Sequence, residues 1–235
     1  MPQADVDAQR AYYADTAERY DAMHVAEGDE HYVALDWLCD LLRRHDIRSV
    51  LDIGSGTGRG ILYLKQRHPI HYVGIEPVAA LRAQGHAKGL SPDELIDGDA
   101  LALAFPDDAF DLVCAFGVLH HIKDHRRAVS EMCRVSRVGV FLSDSNNFGQ
   151  GSPRKRRLKH TIAALGLWRL ADLAMTRGRG YHYSPGDGVF YSYSLFDDLP
   201  VLRSKFPKLS FMNTQPADGP DLYRHASHVA VFAGA

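Results

Sequence analysis

Val50-Leu51-Asp52-Ile53-Gly54-Ser55-Gly56-Thr57-Gly58-Arg59-Gly60 holds the strongest local signal in the chain. A short apolar run with an acid near its end passes directly into three glycines spaced by single residues, and a helical pattern begins near Gly60. Glycine permits the tight turn, and without a β-carbon it lets a ligand approach the backbone N–H groups at a helix N-terminus. Where a dinucleotide fingerprint wants its third glycine, this chain has Arg59.

Outward from this turn, short apolar segments alternate with helical ones. Ser49 to Ile53, Tyr72 to Ile75, Glu94 to Ile96, Phe110 to Ala115 and Val138 to Leu142 read as strands, with helices expected over Gly60 to Arg67, Val78 to Lys88 and His125 to Val135. Such alternation predicts βαβ units and a mostly parallel sheet covered on both faces. Upstream, Asp5 to Tyr20 is polar with tyrosines at 12, 13 and 20, and Val33, Leu35, Leu38, Leu41 and Leu42 fall near one helical face. Downstream of Asp144 the alternation stops. The segment from Leu158 to Met175 reads as one amphipathic helix, with Ile162, Leu165 and Trp168 on a side that Leu158, Leu170 and Leu173 widen, packing over the sheet edge. A helix near Leu195 to Phe206 and strands at Leu209 to Asn213 and His228 to Phe232 close the chain. We expect one domain over residues 1–235: an N-terminal helical lid (1–45), a cofactor-binding core (46–144), a substrate cap (145–194) and a C-terminal helix with strands (195–235).

Glu76 follows the second strand about 20 residues after the glycines, where a doubly wound sheet places the carboxylate that accepts from ribose hydroxyls. Both nicotinamide and other nucleoside enzymes use that device. Discrimination comes from Gly98-Asp99-Ala100, then Phe105-Pro106, then Phe110-Asp111-Leu112-Val113. In this order the motifs resemble the class I S-adenosylmethionine-dependent methyltransferases. By that resemblance Asp99 would accept from the adenine amino group and the Ala100 N–H would reach a ring nitrogen, one acceptor beside one donor in an apolar slot, which suffices to select adenine. Cys114-Ala115-Phe116-Gly117-Val118-Leu119-His120-His121-Ile122 with Asp124 and Glu131 to Val135 further resembles the branch typified by ubiquinone and menaquinone biosynthesis enzymes.

That resemblance covers roughly Tyr12 to Leu142. It implies a Rossmann-like, doubly wound α/β fold with a mostly parallel seven-stranded sheet, an antiparallel terminal strand and a cap inserted after strand 5. It also implies S-adenosyl-L-methionine as cofactor, held by Asp52, Gly54, Ser55, Gly56, Glu76, Pro77, Asp99, Ala100 and Phe116. The N-terminal Tyr12-Tyr13 with Ala17 to Asp21 resembles the family's lid signature, in which Tyr20 folds over the cofactor. One departure is Val138-Gly139-Val140, where the family often has a Pro-Gly-Gly turn. Methyl transfer from a sulfonium is an in-line displacement, so alignment and exclusion of water matter most. If the acceptor is a hydroxyl, His120 and His121 at the end of the fourth strand are the candidate bases.

Charge and cysteine usage narrow the partners. The formal net charge is -2, yet the residues from Gly151 to His182 include eight Lys/Arg against the single acid Asp172. A patch of that kind can steer an anion, but no nucleic-acid recognition motif accompanies it, so no nucleic acid is expected. Cys39, Cys114 and Cys133 are odd in number, and no C-x-x-C or zinc-ligand spacing appears, which argues for a reducing compartment and no metal. The polar start and the absence of a long apolar run imply a cytoplasmic protein without a membrane span. A homodimer is compatible with this reading. Tyr181 to Ser194 concentrates aromatics, hydroxyls and glycines, either as a substrate-binding surface for sugars or phenols or as a hairpin held by its own tyrosines. We expect methyl transfer to a small molecule, with an oxygen of a metabolite or sugar-containing compound as acceptor. The rival readings are a nicotinamide-dependent oxidoreductase and a catalytically inactive, methyltransferase-like binding subunit.

Overall fold

The computed structural model describes residues 3–24 and 29–234. Helices α1 (Gln3–Thr16), α2 (Tyr20–His24) and α3 (Glu30–Arg44) precede β1 (Ser49–Ile53), α4 (Arg59–Arg67), β2 (His71–Ile75), α5 (Ala79–Ala87), β3 (Leu95–Ile96), β4 (Phe110–Phe116), α6 (His125–Val135) and β5 (Ser136–Ser145). Then come α7 (Pro153–Ala164), α8 (Trp168–Met175), the hairpin strands β6 (His182–Ser184) and β7 (Gly188–Phe190), α9 (Leu199–Lys205), β8 (Lys208–Asn213), α10 (Leu222–His225) and β9 (His228–Gly234).

Seven strands form one sheet in the order β3-β2-β1-β4-β5-β9-β8. Every pairing from β3 to β5 is parallel, while β9 runs antiparallel to both β5 and β8. This is the Rossmann-like doubly wound sheet with a reversed terminal strand that the motif order implies. The strands' two-residue period splits their side chains between two cores. Val50, Leu112, Cys114 and Phe141 pack with Leu35, Leu38 and Leu42 of α3 and with Ile61 and Leu64 of α4. Leu51, Ile53, Val113, Ala115 and Leu142 pack with Ala128, Val129 and Met132 of α6 and with Leu202 of α9. Each fully buried Leu or Ile contributes roughly 1.5–3 kcal/mol, and burial on both faces explains why β1 and β4 read as continuous apolar runs.

Three stretches differ from the sequence expectation. Helix α6 passes without a turn into β5, which begins at Ser136, two residues before the strand expected from Val138. The expected single helix from Leu158 to Met175 is two helices, because Gly166 adopts φ +71°. There the Leu167 N–H bonds Ile162 O at 3.0 Å and the Gly166 N–H bonds Ala163 O at 2.9 Å, the paired closure that ends a helix at a left-handed residue. Its apolar face also does not cover the sheet edge: Leu158, Leu165, Leu170 and Leu173 are exposed. Trp168 is the anchor instead, with its ring 5.3 Å from that of Phe148 and its Nε1–H donating to Ser192 Oγ at 3.0 Å. The segment from Leu195 begins as a 3₁₀ turn and becomes α9 only at Leu199.

Strand order reverses between β1 and β4. At such a switch point the loops leaving the carboxyl ends of adjacent strands diverge and open a crevice. The loop after β1, Glu76 after β2 and the histidine turn after β4 all converge there. Among the described residues, no helix is long and apolar enough to cross a membrane.

Candidate functional site

The glycine turn is fixed from below. Both the Gly54 and the Ser55 N–H donate to Ile75 O, at 2.9 and 3.0 Å, which ties the loop to the end of β2. Gly54 adopts φ +68°, and a β-carbon there would lie 2.4 Å from Val118 Cγ2, so the position admits only glycine. Glu76 is buried beside the loop; its Oε2 accepts from the Gly56 N–H at 3.0 Å and its Oε1 from the Val78 N–H at 2.8 Å. Burial pushes its pKa up, against those amides and Arg82, which favour the charged form.

A cleft of about 430 Å³ runs along this loop, a size within the usual range for small-molecule sites. Of the ten residues read from sequence as cofactor contacts, eight line it: Tyr20, Gly54, Gly56, Glu76, Pro77, Asp99, Ala100 and Phe116. Asp99 stands at its mouth, half exposed, with Oδ1 accepting from the Leu101 N–H at 2.9 Å and Arg10 4.0 Å from Oδ2. Each carboxylate oxygen has two lone pairs, so Glu76 and Asp99 keep capacity for a ligand's hydroxyl or amino group, and the set suits an adenosine-bearing cofactor. Asp52 and Ser55 do not line the cleft. Asp52 is buried behind the loop, accepts from Cys114 Sγ at 3.6 Å, and burial pushes its pKa up to about 7. The Ser55 hydroxyl donates to the Asp52 carbonyl at 3.0 Å. Both thus bear on the shape of the loop from within the protein.

A second, larger cavity of about 860 Å³ opens between the end of β5 and the segment from α7 to β7. Tyr13, Tyr20, Phe116 and Gly117 line both cavities, so the two meet at this shared rim. Part of the basic stretch is tied into this wall rather than free to steer anions. Lys159 Nζ donates to Asn147 O and Oδ1 at 2.7 and 2.8 Å, and Arg156 pairs with Asp218.

The two histidines stand at the junction. Asp144, at the end of β5, accepts from the Leu119 N–H through Oδ2 at 2.8 Å and from His120 Nδ1 through Oδ1 at 2.7 Å. His121 Nδ1 lies 2.6 Å from Val189 O and 3.1 Å from Gln9 Nε2; the shorter contact is to a carbonyl, which only accepts, so Nδ1 carries the hydrogen and Nε2 presents a lone pair. The Tyr13 hydroxyl donates to that Nε2 at 3.0 Å. Asp187, in the turn between β6 and β7, places its two oxygens 3.4 Å from His120 Nε2 and 3.4 Å from His121 Nε2. Burial opposes charge on His120, but Asp144 and Asp187 outweigh it and raise its pKa to about 10. Burial and the charge of His120 push His121 down. Asp187 is itself held well below the usual carboxylate range, since the two imidazoles outweigh its burial.

Helix α1 closes over this cluster. Gln9 Nε2 donates to Asp187 O at 3.2 Å, Gln9 Oε1 accepts from the Val189 N–H, and the Tyr12 hydroxyl donates to Pro185 O at 2.9 Å. The aromatic segment after Tyr181 is therefore a hairpin, held by α1 more than by its own tyrosines, and it also lines the large cavity. Sequence reasoning missed Gln9, Tyr13, Asp144 and Asp187. Tyr13 and Asp187 lay within segments singled out for other reasons, but only the fold brings them to the histidines.

Residues 51–143 match the family model described as a methyltransferase domain. Over 147 residues the chain is 35% identical to demethylmenaquinone methyltransferase of Deinococcus radiodurans, which spans 57% of this chain and 58% of that protein. Over 100 residues it is 35% identical to ajmaline N-methyltransferase of Rauvolfia serpentina, across 40% of this chain and 34% of the relative. The chain spans less than two thirds of the length of these curated relatives. A Thermotoga maritima structure described as a SAM-dependent methyltransferase, possible histamine N-methyltransferase, superposes with a TM-score of 0.60 over 95% of this chain and 98% of that one. At 17% identity that likeness speaks for the fold alone.

Proposed function

We propose that this chain, which belongs to the class I S-adenosylmethionine-dependent methyltransferase family, moves a methyl group from S-adenosylmethionine to a small-molecule acceptor, with an oxygen of a metabolite or sugar-containing compound as the favoured nucleophile. The observation that carries the reading is the meeting of two cavities at Tyr13, Tyr20, Phe116 and Gly117. An in-line displacement needs donor and nucleophile held on opposite sides of one methyl group, with water kept out.

When bound, S-adenosylmethionine supplies an electrophilic methyl on a sulfonium. Gly54 and Gly56 offer backbone to its amino-acid tail, Glu76 accepts from the ribose and Asp99 from the adenine amino group. Asp52 and Ser55 act from behind, by fixing the loop. Tyr20, whose ring lies 3.4 Å from where a Gly56 β-carbon would stand, closes the tail end, and Phe116 walls the methyl position. The large cavity, with imidazoles, carboxylates and hydroxyls around it, suits a polar, hydroxylated acceptor. His120 lines the large cavity on the nucleophile's side, and His121 lines the cofactor cleft beside it. The first two motifs left a nicotinamide enzyme open; the methyltransferase match over 51–143 sets it aside.

The test is incubation with methyl-labelled S-adenosylmethionine and a panel of hydroxylated metabolites, with products read by mass spectrometry. A methylated product is expected. Cofactor binding with no acceptor methylated across O-, N- and C-nucleophiles would instead mark a binding subunit.

A further inference from the structure

Two carboxylates, Asp144 and Asp187, face a pair of imidazoles at the junction. Asp144 is almost wholly buried behind His120, while Asp187 is part-exposed on the opposite side of the two rings. The geometry is arranged for a divalent cation. Donor atoms of His120, His121 and Asp187 lie within 4.8 Å of one another. Ligands of a tetrahedral cation with bonds near 2.05 Å stand about 3.3 Å apart. His120 Nε2 lies 3.4 Å from Asp187 Oδ2 and His121 Nε2 3.4 Å from Asp187 Oδ1, so each imidazole has one carboxylate oxygen near that spacing, and a small inward shift brings all three groups onto one cation. Each Nδ1 is engaged on the far side, that of His120 by Asp144 and that of His121 by Val189 O, which turns both Nε2 atoms toward Asp187. A carboxylate or carbonyl behind the imidazole is the arrangement that fixes tautomer and ring orientation in metal-binding histidines.

We propose that His120, His121 and Asp187 form a divalent-cation site where the two cavities meet, His120 and Asp187 on the large cavity and His121 on the cleft, of the two-histidine, one-carboxylate kind, with zinc as the cation this donor set favours. Imidazole with a single carboxylate suits zinc and its transition-metal neighbours, whereas magnesium and calcium take mostly oxygen ligands. The sequence reading that expected no metal weighed only local spacing; Asp187 reaches the histidines through the hairpin turn. The Tyr13 hydroxyl, 3.0 Å from His121 Nε2, gives way or becomes a further ligand. Three protein ligands leave the remaining position open, and His120 and Asp187 place it toward the large cavity, where an acceptor's hydroxyl oxygen would complete the shell. Cation binding is independent of the proposed methyl transfer; the cation's role toward an acceptor rests on that reading.

The experiment titrates zinc chloride, and in parallel cobalt(II) for its visible absorption, into the full chain after chelation, with S-adenosylmethionine affinity measured on the same sample. One cation per chain is expected. Asp187→Asn, a change in a part-exposed turn, should weaken binding more than 100-fold, and Asp144→Asn by about 10- to 100-fold through the second layer alone. Thermal melts establish that both variants are folded; should Asp144→Asn fail to fold, Asp187→Asn decides alone. Absence of stoichiometric uptake by the parent protein, or equal uptake by folded Asp187→Asn, overturns the proposal. Cofactor binding without cation binding sinks the cation site and leaves the methyltransferase reading intact, and the converse result separates them the other way.

Discussion

Asp52→Asn offers a quantitative view of the glycine loop. Burial holds the Asp52 carboxyl at about 7, against an ordinary 3.8. Over that window the native state keeps a proton that the unfolded chain has released. Stability from this group is therefore full below the unfolded value and falls as pH rises through the folded one. Between about pH 5 and about pH 8 the loss amounts to roughly 2.5 kcal/mol. Asparagine imitates the neutral carboxyl in size and carries no proton to lose, so the variant should lack this slope. Urea denaturation of both proteins at the two pH values isolates it, because all other titrating groups cancel in the double difference. Stability of the parent relative to the variant should drop by roughly 2.5 kcal/mol from the lower to the higher pH. Parallel pH curves for the two proteins would refute the reasoning and mean that Asp52 is ionised in the fold.

Glu76→Ala should weaken S-adenosylmethionine by about 1 to 3 kcal/mol, read by calorimetry, since it removes the proposed ribose acceptor. The variant also frees the Gly56 and Val78 amides, so a small loss of thermal stability should accompany it. Gly54→Ala sets a β-carbon against Val118 at a positive φ; we expect a lowered melting temperature and no measurable cofactor binding. Tyr20→Ala opens the shared rim and should reduce cofactor affinity about tenfold while the chain still folds, as judged by circular dichroism. Asn146→Ala removes a fully buried amide that donates to Tyr223 O and Ala226 O and accepts from Ser194 Oγ. It should cost about 2 to 4 kcal/mol in denaturant unfolding.

What the sequence disclosed follows from where the information is local. β1 and α6 were read with their observed ends, because an apolar run meeting Gly54 and a helical pattern starting at His125, just after Asp124, are short-range signals. The loop carrying Gly54 and Gly56 and the carboxylates of Glu76 and Asp99 were legible for the same reason: each occupies a fixed place at a strand end. The face of α7 and α8 was misread because periodicity reports an apolar stripe without saying whether anything covers it, and Gly166 ended the helix inside the pattern. Asp52 looked like a cleft residue from its place in the motif, yet the alternation of a strand buried on both faces turned it inward. The partners of the histidines were invisible, since Asp144, Val189 and Asp187 reach them through β5 and a hairpin many residues away. No spacing rule encodes such a meeting.

Calorimetric titration of the full chain with S-adenosylmethionine, and separately with NAD, makes the cleft along Gly54, Glu76 and Asp99 choose between the two nucleosides. We expect one S-adenosylmethionine bound per chain and no heat from NAD; binding of NAD without S-adenosylmethionine would contradict the assignment.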